Sequence, residues 1–151
     1  MKTLREIDDT HSPKRFVDQW RDKIKAVVDI SHDTPVYDPK ALNSGGIEYH
    51  KFPTVSKYPP EEQEVREFIV LVDKLQASLR DEEGKEQRQI GVHCHYGFNR
   101  TGFFICAYLI EKAGYGVQEA IDEFAEKRPP GIRHSHFLDT MYVRYATKRA
   151  P

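Results

Sequence analysis

Only two cysteines occur in this chain, Cys94 and Cys106. Two thiols cannot build the dense disulfide framework that small secreted domains use in place of a core. No Cys-x-x-Cys or His-x-x-x-His spacing occurs either, so neither common zinc signature is present. A disulfide between the two is also disfavoured, because "RTGFFICAYLIEKAG" reads as a helix that would hold them apart. Long hydrophobic runs are missing as well. No segment approaches the length that spans a bilayer. The opening "MKTLREIDDTHSPKRF" lacks the apolar centre of a signal peptide. The expected setting is therefore intracellular and reducing, cytoplasmic or nuclear, away from membranes. A surplus of one charge is missing too: 23 basic residues stand against 24 acidic ones, for a formal net charge of −1. No global field draws such a chain to nucleic acid, although a local basic pocket is compatible with it.

What is present suits one α/β domain over residues 1–151, read as a monomer and as a piece of a longer protein. A chain of 151 residues can bury one core without staples. "THSPKRFVDQWRDKIK" starts as a helix should, with Ser12 as cap and Pro13 in the first turn. "AVVDIS" is a short apolar run followed by the turn residues of "HDTPVYDP", which predicts a buried strand. "GIEYHKFP" reads as a second strand and "QIGVHC" as a third. "PPEEQEVREFIVLVDKLQASL" is helical, with Val65, Phe68, Ile69, Val72, Leu75 and Leu79 on one face. The charged "RDEEGKEQR" reads as a solvated loop. A further helix follows from about Arg100. "GVQEAIDEFAEK" and "HSHFLDTMYVRYATK" are two more, the last with Phe137, Leu138, Met141, Tyr142 and Tyr145 apolar. Strands interleaved with helices predict a sheet covered by helices. Loops after the strand ends are then the expected binding edge. The cysteine loop, "SHDTPVYDP" and "TVSKYPP" all follow strands and are expected to share one rim.

The chemistry concentrates in "IGVHCHYGFNRTGFF", Ile90 to Phe104. Read as strand, loop and helix, its amides can converge into an anion nest. The first turn of the helix adds unpaired N–H groups and a positive dipole end. Gly97 permits a backbone angle that other residues resist. Arg100 carries a planar fork that matches two phosphate oxygens. A thiol at the mouth of such a nest is stabilised as the thiolate, which is the nucleophile. Thr101 sits where its hydroxyl can reach the sulfur. The set predicts phosphoryl transfer to Cys94, driven by positioning and charge neutralisation. Two blander readings stand beside it. One takes Cys94 as a buried structural thiol, which is the better reading for Cys106; the other joins His93, Cys94 and His95 to other histidines around a metal. Adjacent strand residues point to opposite faces, which argues against the metal.

"VHCHYGFNRTGFF" carries the pattern HCxxGxxRT and so resembles the cysteine-dependent phosphatases of the tyrosine and dual-specificity type. With "VVDISHDTPVYDPKALNSGGIEYHKFPT" and "FAEKRPPGIRHSHFLDTMYVRY", it is most similar to the RNA 5′-triphosphatase domain of metazoan mRNA capping enzymes and their RNA-phosphatase relatives. The likeness runs from about Pro13 to Tyr145. It implies a central mixed sheet flanked by helices, a strand–P-loop–helix active site, a phosphocysteine intermediate, and no metal or other cofactor. It assigns Cys94 as nucleophile, Arg100 as phosphate clamp and Thr101 as the hydroxyl assisting the thiolate. The amides of His95, Tyr96, Gly97, Phe98, Asn99 and Arg100 become the cradle, and His93 orients the loop from below. Asn99 is the letter most typical of the RNA-directed members. Tyr96 stands where those members usually carry histidine; it narrows the pocket, stacks on a ring or simply packs. Arg128, in the rigid "RPPGI", is the best candidate for a second phosphate contact. Lys51, Lys57, Lys127 and Arg133 are further candidates for a basic rim.

One residue usual in the protein-directed members of the wider group is absent, as it is in the capping-type members that the chain resembles. Protein-directed members carry an aspartate on the loop after the second strand, where it protonates the leaving oxygen. Here that loop is "FPTVSKYPPEEQE", and the expected place falls near Ser56. Neither serine nor lysine replaces a carboxylic acid as donor. Expelling a phenol of pKa about 10 without a proton is slow, whereas a terminal diphosphate leaves as a far less basic anion. The gap favours 5′-polyphosphate RNA over phosphoprotein as the phosphorylated partner. Asp33, Asp38, Glu61 and Glu62 remain alternative proton sources. A protein tyrosine or dual-specificity phosphatase, a silent phosphate-binding module, and a redox sensor pairing Cys94 with Cys106 are the rival functions.

Overall fold

The computed structural model of the chain describes residues 1–32, 34–54, 57–80 and 88–146, the side chain of residue 80 excepted. Its centre is a sheet of three parallel strands: β1 (Ile24–Asp29), β2 (Glu48–Lys51) and β3 (Gln89–His93), in the order β2-β1-β3. Register pairs Val28 with His50 on one side and with Val92 on the other. The resemblance implied a mixed sheet; every strand pairing among the described residues is parallel. Parallel pairing needs long crossovers. The chain supplies α2 (Lys40–Ser44) between β1 and β2, and α3 (Glu62–Arg80) between β2 and β3. The first helix, α1 (Pro13–Trp20), precedes β1; α4 (Asn99–Lys112), α5 (Val117–Lys127) and α6 (Ser135–Ala146) follow β3.

β1 is covered on both faces, which is why it reads as an unbroken apolar run rather than an alternation. Ala26, Val28 and Ile30 face a core built from α3 to α6, with Phe68, Phe103, Phe104 and Phe137 at its centre. Val27 points the other way, into a smaller core with Leu4, Phe16, Val17, Tyr37, Leu42 and Ile47. The apolar face expected of α3 is buried at every named position, Val65 through Leu79. In α6, Phe137, Met141 and Tyr145 are buried, but Tyr142 is exposed. Ser12 caps α1 as expected, its Oγ accepting from the Arg15 amide. α1 ends at Trp20, and β1 begins at Ile24, which pairs with Gln89, with an irregularity in the register between Ile24 and Ala26. α2 was not foreseen: five residues are too few to show a helical period. The charged "RDEEGKEQR" loop and the expected end of α6 fall largely outside the described residues. Among the described residues, no helix is long and apolar enough to cross a membrane.

Parallel strands put all their C-terminal ends on one edge, and that edge carries the site. Asp29 ends β1 and leads to Ile30, Lys51 ends β2 and leads to Thr54, and His93 ends β3 and leads to Cys94.

Candidate active site

Residues from all three strand-end loops line one open cleft of about 720 Å³. Cys94 lies at its floor, with Ser31, Lys57 and His134 among the other lining residues. The loop from Cys94 turns through Gly97 and enters α4 at Asn99. Gly97 has φ +84°, a left-handed conformation that favours glycine. A Cβ there would also meet the Met1 carbonyl at 2.3 Å, so space and conformation both exclude a side chain.

Two donors converge on the sulfur. The Gly97 amide lies 3.3 Å from Cys94 Sγ, and Thr101 Oγ1 donates to it from 3.1 Å. Burial opposes ionisation of Cys94. The hydroxyl and amide of Thr101, the Gly97 amide and the Arg100 charge outweigh it, and the thiol is held below its ordinary value. Arg100 is buried in the first turn of α4. Its Nη1 donates to Ile30 O at 3.5 Å and Thr54 O at 3.3 Å, carbonyls from the loops after β1 and β2. Thr54 Oγ1 in turn donates to Ile30 O at 2.6 Å. The fork is thus fixed by one nitrogen, and the rest of it is directed by that anchor.

Beneath the loop lies a buried polar cluster. His93 is fully buried, with Nδ1 2.9 Å from Cys94 O and Nε2 2.8 Å from the Tyr37 hydroxyl. Burial lowers the His93 pKa despite the Asp29 carboxylate 3.7 Å away, so the ring is neutral. A carbonyl only accepts. Nδ1–H therefore donates to Cys94 O, and Nε2 accepts from Tyr37. Asp29 accepts from the Ser31 amide at 3.0 Å, the Tyr49 hydroxyl at 2.6 Å and Lys51 Nζ at 3.2 Å. Burial resists its ionisation, but hydrogen bonds from the Ser31 hydroxyl and amide and from the Tyr49 hydroxyl hold its pKa low.

The other expected site residues distribute as follows. His95 and Tyr96 are exposed at the cleft, their rings edge to face with centroids 4.6 Å apart. Tyr96 is therefore not packed inside, and its ring contact is with the neighbouring His95. Phe98 lines the cleft and lies under the Arg128 guanidinium at 4.4 Å. Arg128 itself is placed differently from the expectation. It does not line the cleft; its Nη2 donates to Tyr96 O at 2.7 Å and its Nε to Gly97 O at 3.4 Å. The guanidinium is spent on bracing the loop. Lys51 is turned inward to Asp29 and Ser31, whereas Lys57 lines the cleft. Asn99 Oδ1 accepts from the backbone amides of Arg133 and His134 at 2.8 and 3.0 Å. Both cysteines are free, and Cys106 is sealed in the core, its thiol pushed up to about 12 by burial. That makes it a poor resolving partner for Cys94. His93 and His95 face apart, one buried and one exposed, and no three metal-ligating side chains group among the described residues.

Of the alternative acids, Asp33 and the Ser56 position lie outside the described residues. Asp38 is exposed shortly before α2, Glu61 precedes α3 and Glu62 begins it, and none of the three lines the cleft. Sequence reasoning missed Tyr37, Asp29 and the carbonyls that anchor Arg100. Asp29 did leave a signal: it is an acid inside an apolar run, which demands partners when buried.

The chain matches the family described as dual specificity phosphatase, catalytic domain, over residues 10–147. It is 35% identical over 124 residues to the mRNA-capping enzyme of Mus musculus, covering 82% of this chain and 20% of that protein. The chain thus spans about a fifth of the length of that relative. It is 29% identical over 136 residues to the tyrosine-protein phosphatase of Autographa californica nuclear polyhedrosis virus, covering 90% of this chain and 77% of that protein. Among solved structures, Tk-PTP in its active form superposes with a TM-score of 0.68 at 22% identity, over 91% of this chain and 87% of that one. This last likeness concerns the fold.

Proposed function

The chain belongs to the dual-specificity phosphatase family, a family of hydrolases, and from that premise we propose that it hydrolyses phosphoanhydrides at the 5′-polyphosphate ends of RNA. Cys94 is the nucleophile. Its thiolate attacks the terminal phosphorus, the S–P bond forms, and the P–O bond to the leaving diphosphate breaks. Gly97 and Thr101 hold the sulfur ready, and the nest amides with Arg100 carry the charge of the three equatorial oxygens. Water then cleaves the S–P bond and returns the thiolate. Arg128 and His93 act on the loop rather than on substrate, one through the Tyr96 and Gly97 carbonyls and one through the Cys94 carbonyl. We include residues 1–151 in one catalytic domain.

The observation that carries the anhydride reading is the composition of the cleft. Among the described residues that line it there is no aspartate or glutamate. A poor leaving group such as a phenol needs a proton from a positioned acid. A diphosphate departs without one. The relation to an mRNA-capping enzyme at 35% identity points the same way.

The test compares triphosphate-ended RNA with phosphotyrosine and phosphothreonine peptides in the presence of EDTA. We expect RNA to be preferred by about 100-fold or more in kcat/KM, the scale of one missing general acid. Cys94→Ser should lose turnover yet keep binding phosphate. Asp33 falls between cleft-lining His32 and Thr34 in the chain; Asp33→Asn should leave RNA turnover intact. A preference for phosphotyrosine, or a large loss in Asp33→Asn, would return the protein to the ester-cleaving phosphatases.

A further inference from the structure

Two histidines at the cleft mouth have no part in the chemistry above. His134 and His136 both line the cleft and both are exposed. Their rings are stacked, with centroids 5.4 Å apart and planes within 25°. Three contacts fix the pair. Phe137, fully buried, backs the rings with centroids at 5.8 and 4.9 Å. His136 Nε2 donates to Lys57 O at 3.1 Å, across to the loop after β2. Asn99, at the start of α4, holds the Arg133 and His134 amides and so ties this wall to the phosphate nest.

The local sequence makes a sacrifice for this arrangement. His134 occupies the capping position of α6, its carbonyl accepting from the Phe137 amide at 3.1 Å. Serine, aspartate and asparagine are preferred there and histidine is not. A broken local rule at a cleft wall is a mark of function. An exposed pair of stacked rings at a cleft wall, braced from behind, can extend its stack with a nucleobase, whatever the base's identity. A cleft of about 720 Å³ also exceeds what one phosphate group fills, and lies in the range of sites for whole small molecules.

We propose that the stacked His134–His136 pair is a subsite for the nucleobase attached to the 5′-polyphosphate. This rests on the anhydride reading for its substrate and adds how the base is held. Stacking binds ground and transition states alike, so it acts on KM and leaves kcat unchanged. Asn99 is a positioning residue for the same surface.

Wild type, His134→Ala and His134→Phe are compared on triphosphate-ended RNA and on inorganic tripolyphosphate, which has no base. Both histidine side chains are exposed, so the substitutions spare the core. His134→Ala should raise KM for the RNA about tenfold, within the range of one base–aromatic contact, with kcat kept. Tripolyphosphate kinetics should not change, and His134→Phe should restore the RNA value. Equal effects on both substrates, or restoration by His134→Lys but not by His134→Phe, overturn the proposal in favour of a charge effect. A nucleoside triphosphate separates the sources. A His134 effect there assigns the subsite to a free base, and an effect on RNA alone assigns it to a base held on a chain. Binding gives an arm independent of turnover. In Cys94→Ser, RNA with 2-aminopurine as its first base should be quenched on binding, and His134→Ala should relieve the quenching. Absence of quenching overturns the subsite. Failure of wild type to cleave tripolyphosphate and RNA alike defeats the anhydride reading, and the quenching measurement still decides the subsite.

Discussion

At the scale of single residues, Cys94 presents an energetic conflict. A thiol at 4% exposure should keep its proton, because burial penalises the charged form. Donors from Gly97 and Thr101 and the Arg100 charge reverse that outcome. Cys106 is the control within the same chain. It is buried without such donors, its Sγ merely 3.4 Å from the Ala120 carbonyl, and its thiol rises to about 12. Thr101→Val removes the hydroxyl at nearly constant volume. The Cys94 titration should then move to higher pH, and alkylation by iodoacetamide at neutral pH should slow about tenfold, the worth of one hydrogen bond to a charged acceptor. Thr101→Ser should behave as wild type. An unshifted alkylation profile in Thr101→Val would remove the hydroxyl from this role. The donors around the Cys94 sulfur were legible in the sequence because Gly97 and Thr101 follow it closely in the chain. The groups that steady the loop were not. Arg128 reaches Tyr96 across 32 positions and Tyr37 reaches His93 across 56, and proximity of that kind exists only after folding.

At the scale of elements, α4 must carry the nest and also pack closely on α5. Gly102 makes this possible one residue after Thr101. A Cβ there would lie 2.6 Å from Phe124 Cε2 and 2.7 Å from Ile132 Cγ1. Gly102→Ala therefore sets two effects against each other. Alanine gains about 1 kcal/mol of helix propensity, and overpacking a buried contact costs about 1–3 kcal/mol. Phe124 and Ile132 are both buried and have little room to retreat. We expect a net loss of about 1 kcal/mol in urea unfolding; a gain in stability would show that α5 can yield. Ile132 also precedes Arg133 and His134, so the same change should weaken, through the cleft wall, the RNA binding proposed above. The helices were readable from their period, since α3 and α5 bury the faces that their sequences mark. Boundaries and pairing were harder to read. Ile24 and Lys25 end a segment that starts as a helix but lie in β1, where Ile24 pairs with Gln89 of β3. Whether strands run parallel is set by the crossovers and not by any strand's own letters.

At the scale of the whole molecule, the two cores meet along β1, and Asp29 sits at the end of that seam. It links β1 to Tyr49 and Lys51 of β2, and it lies beside His93 of β3. One carboxylate therefore ties together the three strands whose ends form the cleft. Asp29→Asn removes the counter-charge of Lys51 and turns one carboxylate oxygen into an amide NH2, which cannot accept the donors now directed at that oxygen, and buried donors so mispaired are costly. Asp29→Asn should destabilise the fold by about 2–3 kcal/mol at neutral pH. The pH dependence has a definite sign. The folded-state pKa of Asp29 is depressed, so its stabilisation is fully present above the unfolded value of about 3.9. It is lost as pH falls through the folded value. The gap between wild type and Asp29→Asn in urea midpoint should hold from neutral pH down to about 4 and close below it. A gap that is constant with pH would mean that Asp29 acts by shape and not by charge. Activity should fall more steeply than stability in this variant at neutral pH, because His93, the Cys94 carbonyl and the Ile30 carbonyl that anchors Arg100 all lie within one or two bonded contacts of the lost charge.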